Sequence, residues 1–597
     1  MIIVTNGTKN RRRESMKKRI LAALLAAAMA VSMAACGSGG ESSSSQSSES
    51  SKSESSAAES GSESSGSDES STASNGAVWD PYTPYEETVT FTKCRVKPSY
   101  DQGLMNGDTI DNNPYTRYTK DQINVESKLA WEADQSAYDQ KVSLAIASGD
   151  IPDTMIVNRQ IFKQLVQNDL VQDMTEAFEK CISPFLQEQY DTYPDILFED
   201  CTIDGKLMGI PGTQIYGQNF SILWIRTDYL EKVNMEKPKT LDDVWKIAKA
   251  FKDNDVSGTG NTIGLMVNEK VDGEVKDNGW VGSGLSSAFF ANGAYPHWWM
   301  PGEDGKVVYG STMPGMKTTL QTLADMYADG TIDPEFAVRK EDDRNALIAS
   351  GQTGMVFGNW WPTQAIGDCM VNDPNADWTA CPIFGADGKL NVPEADPVNN
   401  ILVVNKNYEH PEAIVKTLNV TNDALRGNGE AGQKEYTDRT TNNPTLDWGV
   451  CSLGLQIDYY DAIGMLTDDL NQALEKDDKS AMVVKSQDVN FDIIKQCREN
   501  PHKDAATYAT AMARTIGSEA ILPSYNNNNI ATTPVAFYGK TETMISKWAN
   551  LEKLENEMMV QIIMGEKPVD YFDEFVTQWN ALGGQAITDE INAEIGK

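Results

Sequence analysis

The chain has 597 residues, a formal net charge of -36, 40% hydrophobic residues and only three histidines. Its length leaves room for more than one folded lobe. Its negative charge argues against nucleic acid and anionic lipid surfaces as partners, so no nucleic acid is expected to bind. The histidines are far apart, and no His-x-x-His or Cys-x-x-Cys pair occurs in the sequence. This argues against a zinc site or a histidine-driven catalytic centre.

Residues 1–35 are predicted to be a signal peptide whose translation starts at Met16. Basic residues at positions 17–19 precede an apolar run that is too short to span a bilayer, which needs ~20 residues. The run leads into residues 33–36, Met-Ala-Ala-Cys, which resemble the bacterial lipobox, where the cysteine is acylated and becomes the mature N-terminus. Cys36 is therefore the predicted lipid anchor, and a plain secretory signal with a chance cysteine is the alternative.

Residues 36–85 are predicted to be a flexible tether. As far as Gly76 they are almost entirely Ser, Gly, Glu and Ala, a composition that buries too little apolar surface to offset the entropy of ordering. Anchor and tether together predict a location on the extracellular face of the cell membrane. The cysteines beyond Cys36 are irregularly spaced, so we interpret most of them as buried apolar residues and not as a disulfide framework.

The first folded elements follow a strand, helix, strand order. Residues 86–96 are rich in β-forming residues and predict a strand. Residues 137–148 place apolar side chains on one helical face, and Gly149 follows where a left-handed residue would end the helix. Residues 154–157 predict the next strand. This order is typical of a parallel sheet.

Later segments carry similar local signals for turns, helices and strands. Asp204 and Gly205 predict a tight hairpin because both tolerate positive φ, and Thr240 is predicted to cap a helix with Asp243 as its reciprocal partner. Beyond Met544, apolar residues recur at helical spacing, which predicts a mainly helical C-terminal part whose aromatic residues belong to the core. The remaining predicted elements are strands 221–225, 353–357 and 401–404, helix 316–328 and a helix that begins at Pro411.

Several segments resemble the family-1 extracellular solute-binding proteins, the receptor lipoproteins of carbohydrate ABC importers. Residues 144–153 read LAIASGDIPD, residues 204–211 read DGKLMGIP, and residues 224–230 read WIRTDYL. Near the end of the chain, residues 536–539 read AFYG, which is similar to the large lipoprotein subgroup of Gram-positive bacteria. The resemblance extends along nearly the whole folded part.

This resemblance implies an α/β fold of the two-lobe periplasmic-binding-protein type II, with discontinuous lobes and a ligand cleft between them. Lobe 1 would comprise residues 86–213 and 381–430. Lobe 2 would comprise residues 214–380 and 431–597. We expect the protein to be a monomer.

A sugar receptor needs exposed aromatic planes beside fixed polar groups. The candidates are tryptophans in loops or after a strand, together with polar residues at the first predicted crossing between the lobes. In the resemblance, Trp361 lies near the family's sugar-stacking tryptophan. For each tryptophan, ordinary core packing is the alternative. The candidate ligand contacts are Trp361, Trp360, Trp280, Trp298, Trp299, Tyr216, Gln218 and Asn219.

Residues 253–261 carry oxygen-bearing side chains at alternate positions with glycine sixth, a pattern similar to an EF-hand calcium loop. Gly264 stands where the closing bidentate glutamate would be, so we favour a polar turn and keep calcium as the alternative. No other cofactor is predicted. The calcium ligands would be Asp253, Asp255, Ser257, Thr259 and Asn261.

The predicted function is a membrane-tethered extracellular receptor that binds a sugar or oligosaccharide and delivers it to the permease subunits of an ABC importer. A competing hypothesis is a surface glycan-active enzyme. That enzyme would need two carboxylates facing each other across a cleft, and no pair stands out among so many acidic residues, so no catalytic residue is assigned. A receptor for a peptide or another solute, and an adhesin without a transporter, are two further hypotheses.

Overall fold

The computed structural model describes residues 76–98, 100–218, 220–273, 284–302, 305–443, 445–482, 484, 487–521 and 529–596. The predicted lipid anchor Cys36 and the predicted ligand contacts Trp280 and Asn219 lie outside the described residues. Within these ranges no helix combines the length and the apolar character that a membrane span requires.

Five strands form the first sheet, in the order β2-β1-β3-β13-β6. They are β1 (Val89–Lys97), β2 (Val125–Asp134), β3 (Thr154–Val157), β6 (Ile210–Thr213) and β13 (Val398–Val404). β1 is parallel to β2 and to β3, whereas β13 is antiparallel to β3 and to β6. The predicted parallel unit at the start of the folded chain is therefore confirmed.

The chain from β1 to β6 also confirms the predicted local signals. Gly149 follows the second helix with a φ of 69°, a left-handed conformation that glycine adopts at little cost. Asp204 and Gly205 both have positive φ and turn the hairpin of β4 (Thr202–Ile203) and β5 (Lys206–Leu207). The helices of this part are α1 (Pro114–Ile123), α2 (Gln135–Ser148), α3 (Arg159–Gln167), α4 (Thr175–Cys181), α5 (Pro184–Tyr190) and α6 (Ile196–Glu199).

A second sheet has β7 (Ser221–Arg226) between β10 (Met355–Asn359) and β11 (Trp378–Cys381), antiparallel to both. Successive side chains of a strand point to opposite faces. Leu223 and Ile225 accordingly belong to one hydrophobic core, and Ile222 and Trp224 to another. The second sheet is therefore covered on both faces, which explains why every residue of β7 is buried.

The remaining elements surround the second sheet or join the two sheets. The predicted capping box of Thr240 and Asp243 is confirmed at the start of α8. Two short pairs complete the strands: antiparallel β8 (Trp299–Pro301) and β9 (Val307–Tyr309), and parallel β12 (Leu390–Pro393) and β14 (Ile530–Thr533). The helices are α7 (Thr227–Val233), α8 (Leu241–Asp253), α9 (Ser286–Ala291), α10 (Gly315–Ala328), α11 (Glu341–Ala349), α12 (Gln364–Asn372), α13 (Pro411–Arg426), α14 (Gly429–Asn442), α15 (Ala462–Lys476), α16 (Asp488–Glu499), α17 (Ala505–Met512), α18 (Glu542–Ile563), α19 (Tyr571–Trp579) and α20 (Gln585–Ile595).

Three stretches of chain that pass between the two sheets lie side by side. The backbone N–H of Gln214 donates to the carbonyl oxygen of Pro397 at 2.8 Å, and that of Tyr216 to the carbonyl oxygen of Tyr460 at 2.8 Å. Backbone pairing therefore joins the first stretch to each of the other two. We call them the crossover segments; they are residues 213–218, 394–397 and 456–461.

Candidate functional site

A cavity of about 380 Å³ lies at the crossover segments. Small-molecule sites usually measure ~300–1,000 Å³, so its volume suits a ligand. We call it the crossover cavity. The lining residues used below are Gln218, Trp360, Arg426, Trp448, Asp458 and Arg514.

A second cavity of about 380 Å³, the sheet cavity, lies against β1 and β3. Lys93 and Arg95 of β1 line it, and Trp448 lines both this cavity and the crossover cavity. Trp448 is 45% exposed. Its ring therefore offers a face against which an apolar ligand surface can stack between the two cavities. We call the two cavities together the cleft.

The turn that carries Trp448 is held by side chains that come from far earlier in the chain. Nζ of Lys93 donates to two carbonyl oxygens of this turn, at 2.6 and 3.0 Å. Nη1 of Arg95 donates to a third at 3.1 Å, and Nδ2 of Asn113 to a fourth at 3.0 Å. Burial lowers the pKa of Lys93 to about 8, so the ammonium form still predominates at neutral pH.

The described residues that line the crossover cavity include one ion pair and one cation outside any ion pair. Nη2 of Arg426 lies 2.7 Å from Oδ2 of Asp458. Arg514, in contrast, has neither a hydrogen-bond nor an ion-pair partner within the described part of the chain, and its guanidinium lies 5.2 Å from the ring centre of Trp360. Burial and the positive charge of Arg426 lower the pKa of Arg514. Removal from water thus disfavours this cation, and no carboxylate of the described residues pairs with it.

Arg514 belongs to a π-helical turn, Ala513–Gly517, that continues α17. A side chain at Gly517 would collide with the carbonyl oxygen of Trp360. Glycine therefore lets this turn approach the backbone beside the cavity. Such π-turns inside α-helices occur frequently at functional sites.

Some of the predicted ligand contacts lie at the crossover cavity. Trp360 lines it, is 6% exposed, and has an indole N–H without a hydrogen-bond partner among the described residues. Gln218 lines it as well. Tyr216 lies in the first crossover segment with its hydroxyl 3.3 Å from Oγ1 of Thr532, and burial raises the pKa of Tyr216. Trp361 is half-buried and packs edge-on against the Trp360 ring at 5.2 Å.

Trp298 and Trp299 lie elsewhere. Both are 5% exposed, and neither lines the cleft. The ring of Trp299 packs 5.0 Å from that of Tyr309 and 6.1 Å from that of Trp579 on α19. The C-terminal helices thus bury a loop that the sequence pattern predicts to be exposed to solvent. A ligand-binding role for these two tryptophans remains a prediction.

A buried cluster of charged groups lies near these aromatic residues. Nε2 of His297 lies 2.8 Å from Oδ2 of Asp272, and its Nδ1 lies 3.9 Å from Oε1 of Glu555. Burial opposes the imidazolium, but the charges of Asp272 and Glu555 outweigh it and raise the pKa of His297 to about 10. Burial also raises the pKa of Glu555, whose Oε2 accepts a 2.9 Å hydrogen bond from the Tyr309 hydroxyl. We call Asp272, His297 and Glu555 the buried triad.

The candidate calcium loop is closed by its own hydrogen bonds and by lysines. Asp255 accepts hydrogen bonds from the hydroxyl of Thr262 at 2.7 Å and from a backbone N–H at 2.9 Å. Nζ of Lys249 lies 3.1 Å from Oδ2 of Asp253, and Nζ of Lys252 lies 3.4 Å from Oδ1. A calcium ion would have to displace these contacts, because a calcium site needs the carboxylate oxygens free to converge on the ion. The polar turn and the calcium alternative both remain predictions.

Sequence reasoning missed Trp448 and Arg514. Trp448 stands between Asp447 and Gly449, so the loop-tryptophan rule that selected Trp298 and Trp299 applies to it equally. Arg514 carries no such signal, because an arginine within a helical stretch is usually a solvated residue.

The sequence is similar to those of several known bacterial proteins. The family model for bacterial extracellular solute-binding proteins matches residues 115–413, half of the chain. Lipoprotein LipO of Bacillus subtilis (strain 168) is 23% identical over 502 residues, which are 81% of this chain and 88% of LipO. The fructooligosaccharide ABC transporter substrate-binding protein FusA of Streptococcus pneumoniae is 26% identical over 300 residues, 47% of this chain and 53% of FusA.

Solved structures with the same fold include two carbohydrate-binding proteins. The alginate-binding protein AlgQ2 without calcium ion gives a TM-score of 0.54 at 16% identity, over 87% of this chain and 100% of AlgQ2. An EF-hand mutant of FusA in complex with fructo-nystose gives a TM-score of 0.55 at 16% identity, over 85% of this chain and 99% of FusA. The chain therefore has the two-lobe α/β fold of these proteins, and it belongs to the family of bacterial extracellular solute-binding proteins.

Proposed function

We propose that this protein is an extracellular receptor that binds an oligosaccharide in the cleft and delivers it to an ABC importer. The observation that carries the proposal is Trp448, a 45% exposed tryptophan that lines two cavities of about 380 Å³ each. A sugar has flat apolar faces and a rim of hydroxyls, so it needs such a plane with polar groups around it. FusA, a relative, is a fructooligosaccharide-binding protein.

The polar groups would come from both lobes. Gln218 and Arg514 stand on one side of Trp448 and Lys93 on the other. The indole N–H of Trp360 has no acceptor among the described residues, and a ligand hydroxyl can supply one. We propose Trp448, Trp360 and Gln218 as sugar contacts, with Trp361 supporting the Trp360 ring. Tyr216 would influence sugar binding indirectly, through the crossover segment to which it belongs.

The crossover segments suit a hinge about which the lobes close on the ligand. For the lobe boundaries we propose residues 86–213 and 398–457 as the first lobe, in place of 86–213 and 381–430, and residues 221–393 and 462–596 as the second, in place of 214–380 and 431–597. The reason is packing: Leu453, Leu455 and Ile457 belong to the core of the first sheet, and Cys381 belongs to β11 of the second sheet. Closure would create the surface that the importer recognises.

The anchoring of the receptor rests on the sequence. Cys36 would be acylated, and the tether that follows it would hold the folded lobes at the extracellular face of the membrane. The tether would end before residue 85, because Tyr85 is buried in the core of the first sheet. LipO, which spans 81% of this chain, is a lipoprotein. The permease subunits of an ABC importer would be the partner. For residues 253–261 we propose a polar turn. We propose no catalytic role for any residue.

Isothermal titration calorimetry of the folded protein against a panel of oligosaccharides tests the proposal. Trp448→Ala should weaken the binding of a recognised sugar by ~5- to 100-fold, since an aromatic contact and its buried area contribute ~1–3 kcal/mol. Trp79→Ala is the matched control, because Trp79 is also exposed, at 39%, and does not line the cleft. Binding of peptides and of no sugar would overturn the proposal, and so would a Trp448→Ala protein with the affinity of the wild type.

A further inference from the structure

The cleft has a charge opposite to that of the protein around it. The whole chain carries a formal net charge of -36, yet the described residues that line the two cavities include four cations and one carboxylate. Lys93 and Arg95 line the sheet cavity, Arg426 and Arg514 line the crossover cavity, and the carboxylate is that of Asp458. The lining of the cleft therefore has a local excess of positive charge, although the protein as a whole is strongly acidic.

Three of these five groups are already occupied. Asp458 pairs with Arg426 at 2.7 Å, and Arg95 pairs with Glu132, its Nε lying 3.3 Å from Oε2. Lys93 is different, because it donates to backbone carbonyl oxygens. Arg514 has no hydrogen-bond or ion-pair partner among the described residues; the ring of Trp360 lies beside it, and the charge of Asp458, which already pairs with Arg426, acts on it without pairing. Within the described ranges, two cations in the cleft are therefore without a carboxylate partner.

The hydrogen-bonding groups of the crossover cavity show the same imbalance. Nε of Arg426 and the indole N–H of Trp360 are buried donors without an acceptor in the described part of the molecule. The guanidinium of Arg514, which is only partly buried, adds further donors to the same cavity. A buried donor without an acceptor costs ~1–3 kcal/mol, so such groups mark a place where a ligand or ordered water supplies the acceptors.

An anionic group supplies both missing elements. A carboxylate accepts two parallel hydrogen bonds from a guanidinium and neutralises its charge. A neutral sugar hydroxyl supplies an acceptor but brings no negative charge to the partly buried cation. The excess of cations and of donors therefore favours a charged ligand over a neutral one.

We propose that the oligosaccharide carried in this cleft bears anionic groups, of which the carboxylate of a uronic acid is the best match, and that Arg514 binds one of them. This inference rests on the proposed function, because it names the class of sugar for the same site. Arg514 sets the specificity, and the face of Trp448 provides stacking for the sugar ring. Sulfate or phosphate esters share this chemistry with uronates.

The test compares charged sugars with neutral ones of the same shape. Calorimetry would measure the binding of galacturonate, glucuronate, mannuronate and guluronate trimers, each beside its methyl ester, which keeps the ring and removes the charge. A sulfated disaccharide, a hexose phosphate and neutral trimers complete the panel. We expect at least one anionic sugar to bind 10-fold or more tightly than its neutral counterpart, with an affinity that falls as salt is raised, since salt screens partly exposed charges.

Variants then assign the effect to Arg514. Arg514→Gln should weaken the anionic ligand ~10- to 100-fold, as expected for the loss of a hydrogen bond to a charged group, and should therefore abolish most of the preference for the anion over its methyl ester. Arg514→Lys should retain part of the preference because it keeps the charge and loses the fork. Arg498→Gln is the matched control, because Arg498 is exposed and does not line the cleft.

The outcomes separate this inference from the proposed function. Equal affinity for acid and ester, or an Arg514→Gln protein with the wild-type preference for the anion, would overturn the inference while sugar binding stands. Binding of no carbohydrate by the wild type would overturn the proposed function itself. If Arg514→Gln does not fold, as judged by circular dichroism, the acid and ester pair and the Arg514→Lys variant still decide the question.

Discussion

The buried triad and the crossover cavity each combine charged groups with tryptophan and tyrosine rings, but they differ in how the charges are paired. In the triad, His297 lies between Asp272 and Glu555, with the Tyr309 hydroxyl on Glu555. In the cavity, Asp458 serves Arg426 and leaves Arg514 unpaired among the described residues. The first cluster is sealed in a core and holds its cation between two carboxylates, so it is suited to stabilising the fold. The second is open and unbalanced, so it is suited to a ligand.

The largest expected effect comes from removing the histidine of the buried triad. His297→Ala leaves Asp272 and Glu555 buried without their cation, and removal of one partner of a buried ion pair typically costs ~3–5 kcal/mol. Urea unfolding followed by circular dichroism would measure this loss in the free energy of unfolding. His502→Ala is the control, since the His502 ring contacts a backbone carbonyl oxygen, at 2.7 Å, and its loss should cost ~1 kcal/mol. Equal losses in the two variants would show that the triad does not stabilise the fold.

The triad also makes stability depend on alkaline pH. The pKa of His297 is raised from 6.5 to about 10 in the folded protein, so its stabilising contribution is fully present below pH 6.5 and is lost as the pH rises through about 10. The free energy of unfolding should therefore fall from neutral pH to about pH 10. His297→Gln, which does not titrate, should show a shallower decline. Parallel declines would refute the assignment to His297.

An intermediate effect is expected from breaking the ion pair of the crossover cavity. Asp458→Asn removes the partner of Arg426, but water in the crossover cavity can solvate the freed cation. The loss in the free energy of unfolding should be ~1–2 kcal/mol, smaller than for His297→Ala. Unfolding of both variants under the same conditions compares the two clusters directly. A loss as large as that of His297→Ala would mean that the cavity is sealed as well.

The smallest effect is expected at the loop of residues 253–261. Its carboxylates already have partners in Thr262 and Lys249, so little is gained from an ion. Addition of calcium or of a chelator should change the free energy of unfolding by less than ~1 kcal/mol, because an ion stabilises the folded state by more than this only when its concentration is well above its Kd. A stabilisation that grows steadily with calcium concentration would instead establish a site there, and Asp255→Asn should then abolish it.

The sequence allowed most of the elements to be predicted, and the site only in part. Gly149 ends its helix and Thr240 caps its helix because both signals act within a few residues. Whether a tryptophan in a loop is exposed depends on distant chain: Trp299 is buried by Trp579, whereas Trp448 stays exposed on a turn held by Lys93. Local patterns contain no information about such contacts, so the same rule selected Trp299 and overlooked Trp448.

The π-helical turn at Ala513–Gly517 has a consequence for how receptors of this kind change cargo during evolution. It continues α17 with backbone hydrogen bonds between residues five apart, one residue more than in an α-helix. Loss of a single codon here would restore regular winding and swing the position of Arg514 by ~100° about the axis, away from Trp360. On our proposal for Arg514, one small genetic event could thus exchange an acidic sugar for a neutral one, with both lobes otherwise unaltered.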